Sequence, residues 1–203
     1  MKSEQPKKKM EEPSPNRAFF QFDVPLVRQR MTVEDGFATP EEALEFGNKA
    51  CGAACIKMVL DSFGIESANV KSLMEQGIKK RIFKDSVGWI HKGMVKTLKE
   101  HGLDAERTNI FNEPERIIKA LKENYLIIAS VSLTFNPDKR GGHLVVIYGV
   151  QTKGDKDLEK IFFRDPSGWG QAHAEIDADS FLQSWSGNVI LARKAEPGKD
   201  REE

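Results

Sequence analysis

The chain has 203 residues, 39% hydrophobic and 31% charged, with 31 Lys and Arg balancing 31 Asp and Glu. That length suits one domain with a substantial core, and the zero net charge lends no support to a nucleic-acid or anionic-membrane partner. No apolar run is long enough to span a bilayer and the first 18 residues lack the apolar core of a signal peptide, so a cytoplasmic location is expected. Two cysteines do not make a disulfide scaffold.

Residues 1–18 are rich in Lys, Glu, Pro and Ser, and 195–203 read AEPGKDREE; both are expected to be disordered tails around a folded domain, 19–194. Phe20, Phe22 and Val24 alternate with polar neighbours, a short strand ending near Pro25. Thr39-Pro-Glu-Glu42 is a capping-box pattern that starts a short helix through Phe46. Ile56, Val59, Leu60 and Phe63 form one apolar helical face, stopped by Gly64. Further helices are marked by Val70, Leu73, Met74 and Ile78, by Ile90, Met94, Val95 and Leu98 up to Gly102, and by Ile117, Ile118 and Leu121 after Asn112 and Pro114.

The pattern then changes to short apolar runs rich in β-branched residues. Leu126–Leu133, His143–Val150 and Glu159–Asp165 read as strands of one antiparallel sheet, the last two joined by the polar turn Lys153-Gly-Asp-Lys156. A short helix near Asp179–Trp185 and a strand, Asn188–Arg193, follow. Helices first and strands later is an α+β layout, with N-terminal helices packed on a C-terminal antiparallel sheet.

Both cysteines fall in NKACGAACIKMVLDSFGI, residues 48–65. Cys51 stands at the expected helix start, where unsatisfied backbone N–H groups favour the reactive thiolate. Gly52 beside it would let a substrate backbone approach. Cys55, one turn on, reads as a small core residue, and the bland reading of Cys51 is the same. Two helical positions a turn apart are poorly aimed for a disulfide. A zinc site would need two further ligands at suitable spacing, and His91 and His101 supply no such pattern.

A nucleophilic thiolate needs a histidine as proton acceptor and donor. His91 and His101 sit among lysines on an amphipathic helix, where solvent exposure is expected, and His173 lies in a polar loop. His143 opens the apolar strand Leu144-Val-Val-Ile147, and Gly141 and Gly142 clear space before it. Asp165 ends the strand that should pair with it, which brings the two strand ends to one edge. Asp165 is then placed to orient the imidazole, although Asp-Pro-Ser-Gly also makes a good turn by itself. An oxyanion hole would use the Cys51 backbone N–H and a side-chain amide. Gln29 is the upstream candidate, with an exposed loop glutamine as the plainer reading. Trp89, Trp169 and Phe37 are candidate cleft-wall residues, and plain exposed or core aromatics explain them equally well.

Val24-Pro-Leu-Val-Arg-Gln29, Ala50-Cys-Gly-Ala-Ala-Cys-Ile-Lys-Met-Val-Leu60, Gly142-His-Leu-Val-Val-Ile-Tyr-Gly149 and Phe163-Arg-Asp-Pro166, in this order, resemble the papain-like cysteine peptidases. The resemblance is to the bacteriocin-processing, double-glycine-type peptidase family and its standalone relatives. It runs from about Val24 to Arg193, and Phe181, Trp185 and the final strand resemble the family's ending. It implies Cys51 as nucleophile, His143 as general base and acid, Asp165 as orienting acid and Gln29 as oxyanion-hole amide. Gly52, Gly142 and Trp89 are candidate substrate contacts.

The expected activity is cleavage of a peptide or isopeptide bond in a peptide or protein substrate, with no cofactor or metal. The same triad also serves acyl transfer or deamidation, and a non-catalytic peptide-binding module of the same fold is the further alternative. Gln29 lies 22 residues before Cys51, a longer gap than the family pattern, and residues 31–47 fill it as a candidate lid or wall. The bacteriocin-processing members are fused to membrane transporters, so the absence of an apolar span here removes any implication of secretion-coupled leader cleavage. Oligomeric state is not legible.

Overall fold

The computed structural model describes residues 20–154 and 157–195. The expected tails lie outside them, Ala195 excepted, as does part of the turn at 153–156. In chain order the elements are β1 (Phe20–Gln21), α1 (Pro40–Asn48), α2 (Cys51–Ser62), α3 (Val70–Lys79), β2 (Phe83–Lys84), β3 (Gly88–Trp89) and α4 (His91–Glu100). Then come β4 (Leu103–Asn109), α5 (Arg116–Lys122), β5 (Leu126–Val131), β6 (His143–Lys153), β7 (Asp157–Arg164), β8 (Glu175–Asp177), α6 (Ala178–Ser184) and β9 (Trp185–Lys194).

Seven strands form one antiparallel sheet, ordered β4-β9-β5-β6-β7-β8, and β1 pairs with β6 where β5 has stopped. β2 and β3 form a separate two-stranded ribbon. The alternation of β6 divides the interior. Leu144, Val146 and Tyr148 join a core with α2, α3 and α4, while Val145 and Ile147 join a second core with α5 and α6 on the opposite face. This is the α+β, papain-like arrangement expected, with one addition. Helices cover both faces of the sheet, because the strands are apolar on both sides and each face must be buried.

α2 is the central helix. Cys51 through Ile56 and Met58 through Leu60 are all buried, so it is enclosed on nearly every side rather than along one stripe. Its half-exposed polar residues are Lys57 and Asp61, paired at 3.0 Å, and Ser62 at its end. Gly64, at φ +70°, ends it in the left-handed conformation. α1 begins as read: the Thr39 hydroxyl accepts from Glu42 N at 3.1 Å, although Glu42 reaches back to Ala38 N at 3.0 Å instead of Thr39 N.

Three departures have physical causes. β4 follows Gly102 directly and pairs along its whole length with β9, from Leu103↔Lys194 to Asn109↔Asn188. Only Leu103, Ala105 and no later residue of β4 are buried, so its polar edge hid the strand. β2, β3 and β8 are two or three residues long, too short to show a period. His91 and His101 are half-buried, not solvent-exposed: His101 Nδ1 lies 2.8 Å from Thr97 O, and burial, then the Arg107 charge, pushes the His91 imidazole down.

Candidate active site

The site lies where the start of α2 meets the start of β6. Cys51 is the first residue of α2, and the residue before it, Ala50, offers no side-chain cap, so the first-turn N–H groups receive none. Cys51 is 9% exposed, so only a sliver of its surface is open. The chain enters it under tight restraint: Trp89 Nε1 donates to Lys49 O at 2.8 Å, and Lys49 Nζ pairs with Glu45 at 2.9 Å and Asp85 at 3.1 Å.

His143 follows Gly141 and Gly142, at φ +74° and +94°, a turn that residues with a Cβ adopt only under strain. Its Nε2 lies 2.7 Å from Asp165 Oδ1, and the Cys51 thiol is the other side chain that raises the ring's pKa. The pairing follows from register. β6 and β7 are in step at Val146↔Arg164, so the residue after Arg164 lies beside the start of β6.

Burial is the largest single influence on the imidazole and pushes it down. The hydrogen bonds to Asp165 and Cys51 and the charges of both outweigh it, raising His143 from 6.5 to about 9. Burial likewise pushes the Asp165 carboxyl up. The His143 hydrogen bond and charge, with the Ser167 N–H and hydroxyl, reverse that and hold it below its ordinary 3.8. The pair therefore carries a positive imidazolium against a negative carboxylate at neutral pH. Cys55 is different: burial, then the neighbouring Cys51, holds its thiol well above 9.0 and so protonated. Both cysteines are free.

Gln29 reaches the same corner. Its backbone N–H donates to Pro166 O at 2.9 Å, and its Nε2 donates to Gly47 O at 3.1 Å and more weakly to Asn48 O at 3.4 Å. It is buried, not an exposed loop glutamine, and its Oε1 has no partner. The segment 31–47 closes this side: Met31, Ala43 and Gly47 are buried, and a Cβ on Gly47 would lie 2.9 Å from Gln29 O.

Two of the candidate substrate contacts take a different place. A Cβ on Gly52 would collide with the Trp89 indole, so the space beside this glycine is filled by the ring. Trp89 is itself buried against Gly52, Gly77 and Phe83, a wall of the core. Gly142, by contrast, is exposed, with open space where a Cβ would stand. Of the other aromatics, Phe37 packs on Phe46 at 5.2 Å, and Trp169 stacks on His173 at 3.8 Å.

Sequence reading missed Ser167, whose N–H donates to Asp165 Oδ1 at 2.8 Å. The signal was present in Asp-Pro-Ser-Gly. The turn and the contact to histidine look like alternatives, yet one carboxylate oxygen makes both.

A helix-borne cysteine facing a sheet-borne histidine, inside helices packed on an antiparallel sheet, defines the class: a papain-like fold. The chain belongs to the Peptidase_C39 like family, whose sequence profile matches residues 21–189. Membership supports cysteine-peptidase chemistry. The structure is similar to the peptidase domain of Streptococcus ComA, a bifunctional ABC transporter involved in quorum sensing, with TM-score 0.52 and 17% identity over 73% of this chain and 93% of that one. It is similar also to a double glycine motif protease from an AMS/PCAT transporter, crystallised in complex with the leader peptide, with TM-score 0.54 and 21% identity over 86% of this chain and 94% of that one. No curated protein sequence matches the chain. Among the described residues no helix is long and apolar enough to cross a membrane.

Proposed function

We propose that this chain is a thiol peptidase in which Cys51, His143 and Asp165 cleave a peptide or isopeptide bond. The observation that carries the reading is the buried His143 ring, bonded through Nε2 to Asp165 at 2.7 Å, with the Cys51 thiol among the groups that act on it. Cys51 reacts as the thiolate, its proton resting on His143 as the imidazolium. The thiolate attacks the substrate carbonyl, and the new C–S bond gives a tetrahedral oxyanion. The Cys51 backbone N–H and the Gln29 amide are the donors assigned to that oxygen; Gln29 would release its longer bond to Asn48 to serve. As the C–N bond breaks, His143 gives its proton to the leaving amine. His143 then takes a proton from water, whose oxygen attacks the acyl-enzyme and frees the acid and the thiol.

A peptide or protein substrate is proposed by analogy with the similar protease held with its leader peptide. One peptidase domain, residues 19–194, flanked by tails and acting in the cytoplasm, belongs to the same proposal, and limited proteolysis and cell fractionation test those two parts.

The test of the chemistry is iodoacetamide alkylation of the whole protein at neutral pH, with Cys55 as internal control. Cys51 should label about 10²-fold faster or more, and lose that advantage in His143→Ala. Equal, slow labelling of both thiols would end the reading. Digestion of a peptide library then reports hydrolysis directly.

A further inference from the structure

The zero net charge hides an uneven distribution. Residues 78–100 carry seven lysines and arginines against two acids, Asp85 and Glu100, so this stretch is +5 and the rest of the chain −5. It runs from the end of α3 through the β2–β3 ribbon to the end of α4 and folds as one surface. Ile82 N donates to Gly77 O and Ile90 N to Ile82 O, both at 2.7 Å, and Ile82 packs over Gly93, where a Cβ would collide with it. Lys80 crosses from α3 to Glu100 at 2.8 Å.

All seven cations are exposed. Glu100 takes Lys80 and, at 4.0 Å, Lys96, while Asp85 pairs with Lys49 outside the stretch at 3.1 Å. Among the described residues, Lys79, Arg81, Lys84, Lys92 and Lys99 make no ion pair. Lys92, Lys96 and Lys99 stand at i, i+4 and i+7, on one face of α4. Arg81 holds φ +57°, a left-handed value that glycine or asparagine adopts with less strain, yet a cation occupies it.

Two aliphatic side chains stand out among these charges: Val87 at the ribbon tip is 71% exposed, and Ile78 47%. Phe83 and Trp89 are buried, so neither offers a platform for stacked bases. The cavity beneath, lined by Gly77, Lys80 and Ile82 among others, holds about 10 Å³, no more than one water needs. A surface that is basic, aliphatic at its tip and without a pocket or a stacking ring matches a plane of negative charge over an apolar layer, not a shaped ligand.

We propose that residues 78–100 are a docking surface for an anionic lipid bilayer, on which the chain lies: the lysines meet the headgroups, and Val87 and Ile78 reach toward the acyl boundary. The proposal goes beyond the peptidase reading and does not depend on it. Its consequence for that reading is one of place. Asp85 pairs with Lys49, two residues before Cys51, so docking sets the Cys51 end of α2 close to the membrane.

The test is sedimentation of the whole protein with lipid vesicles. At low salt it should pellet with vesicles of about one-third phosphatidylserine in phosphatidylcholine and stay in solution with phosphatidylcholine alone. It should be released as salt approaches about 1 M, where screening acts over about 3 Å. Lys92→Gln should weaken binding about fivefold, and Lys79→Gln, Lys84→Gln and Lys92→Gln together about 10²-fold. Lys119→Gln, on α5 across the sheet, should leave it unchanged. Val87→Ser should weaken it about threefold or more with the salt dependence retained. Binding to neither vesicle, equal binding to both, or wild-type binding by the triple variant refutes the surface. Tighter binding to a duplex RNA or to polyglutamate, weakened by the same substitutions, overturns the lipid assignment. Should the triple variant fail to fold, the single Lys92→Gln and Lys119→Gln comparison decides.

Discussion

The two sides of the cleft are held by different physics. On the helix side, Cys51 is located by shape: Trp89 fills the space over Gly52, and Ala53, Ala54 and Cys55 are wholly buried behind it. No side chain caps the helix start. On the sheet side, His143 is located by directional polar bonds, to Asp165 and through it to Ser167. Close packing tolerates a change of charge far from it but not a change of volume. A buried hydrogen-bond chain tolerates small volume changes at its rim but not the loss of a partner.

That contrast can be broken from either side. The largest effect is expected from His143→Ala, which removes the proton carrier and should slow peptide hydrolysis by about 10²- to 10⁴-fold with the fold intact by circular dichroism. Asp165→Asn retains the shape and removes the charge. The His143 midpoint should fall from about 9, read by ring NMR, with hydrolysis down about 10²-fold. Gly52→Ala attacks the helix side by volume alone. The collision with Trp89 should destabilise the protein by about 1–3 kcal/mol in urea titration, and slow Cys51 labelling while the His143 midpoint stays in place.

The pH dependence of stability sharpens the same comparison. His143 is raised in the fold, so its contribution is complete below 6.5 and is lost as pH rises to about 9. Cys55, also raised, adds a loss above 9.0 from the helix side. Asp165 is lowered, so its contribution is present above 3.8 and is lost as pH falls through its folded value. Urea midpoints across pH should show the His143 limb flattened in Asp165→Asn and the Asp165 share of the acid limb removed. The smallest effect is expected from Thr39→Ala, about 1 kcal/mol from the lost cap of α1, with Cys51 labelling unchanged.

Much of this was legible in the chain. α2 could be read from its first residue to Gly64, since a run of buried small and apolar residues closed by glycine has few other solutions. The β6–β7 hairpin could be read too, and with it the meeting of His143 and Asp165, because antiparallel register brings the start of one strand to the end of the next. β4 could not, because an edge strand with a polar outer face carries little apolar period. Nor could the partner of Gly52: a glycine beside a cysteine looks the same whether a substrate or an indole from 37 residues away fills the gap.

Residues a few positions apart set the helix that bears Cys51, the strand that bears His143 and the turn that bears Asp165, so each is legible in the chain. Packing between distant segments sets Trp89 on Gly52, engages the Gln29 amide with Gly47, and makes Ser167 share one oxygen of Asp165 with His143. Local pattern is set by backbone periodicity and capping. Which side chain fills a given space, and which donor takes a given lone pair, is settled only when distant segments are pressed together at close-packed density.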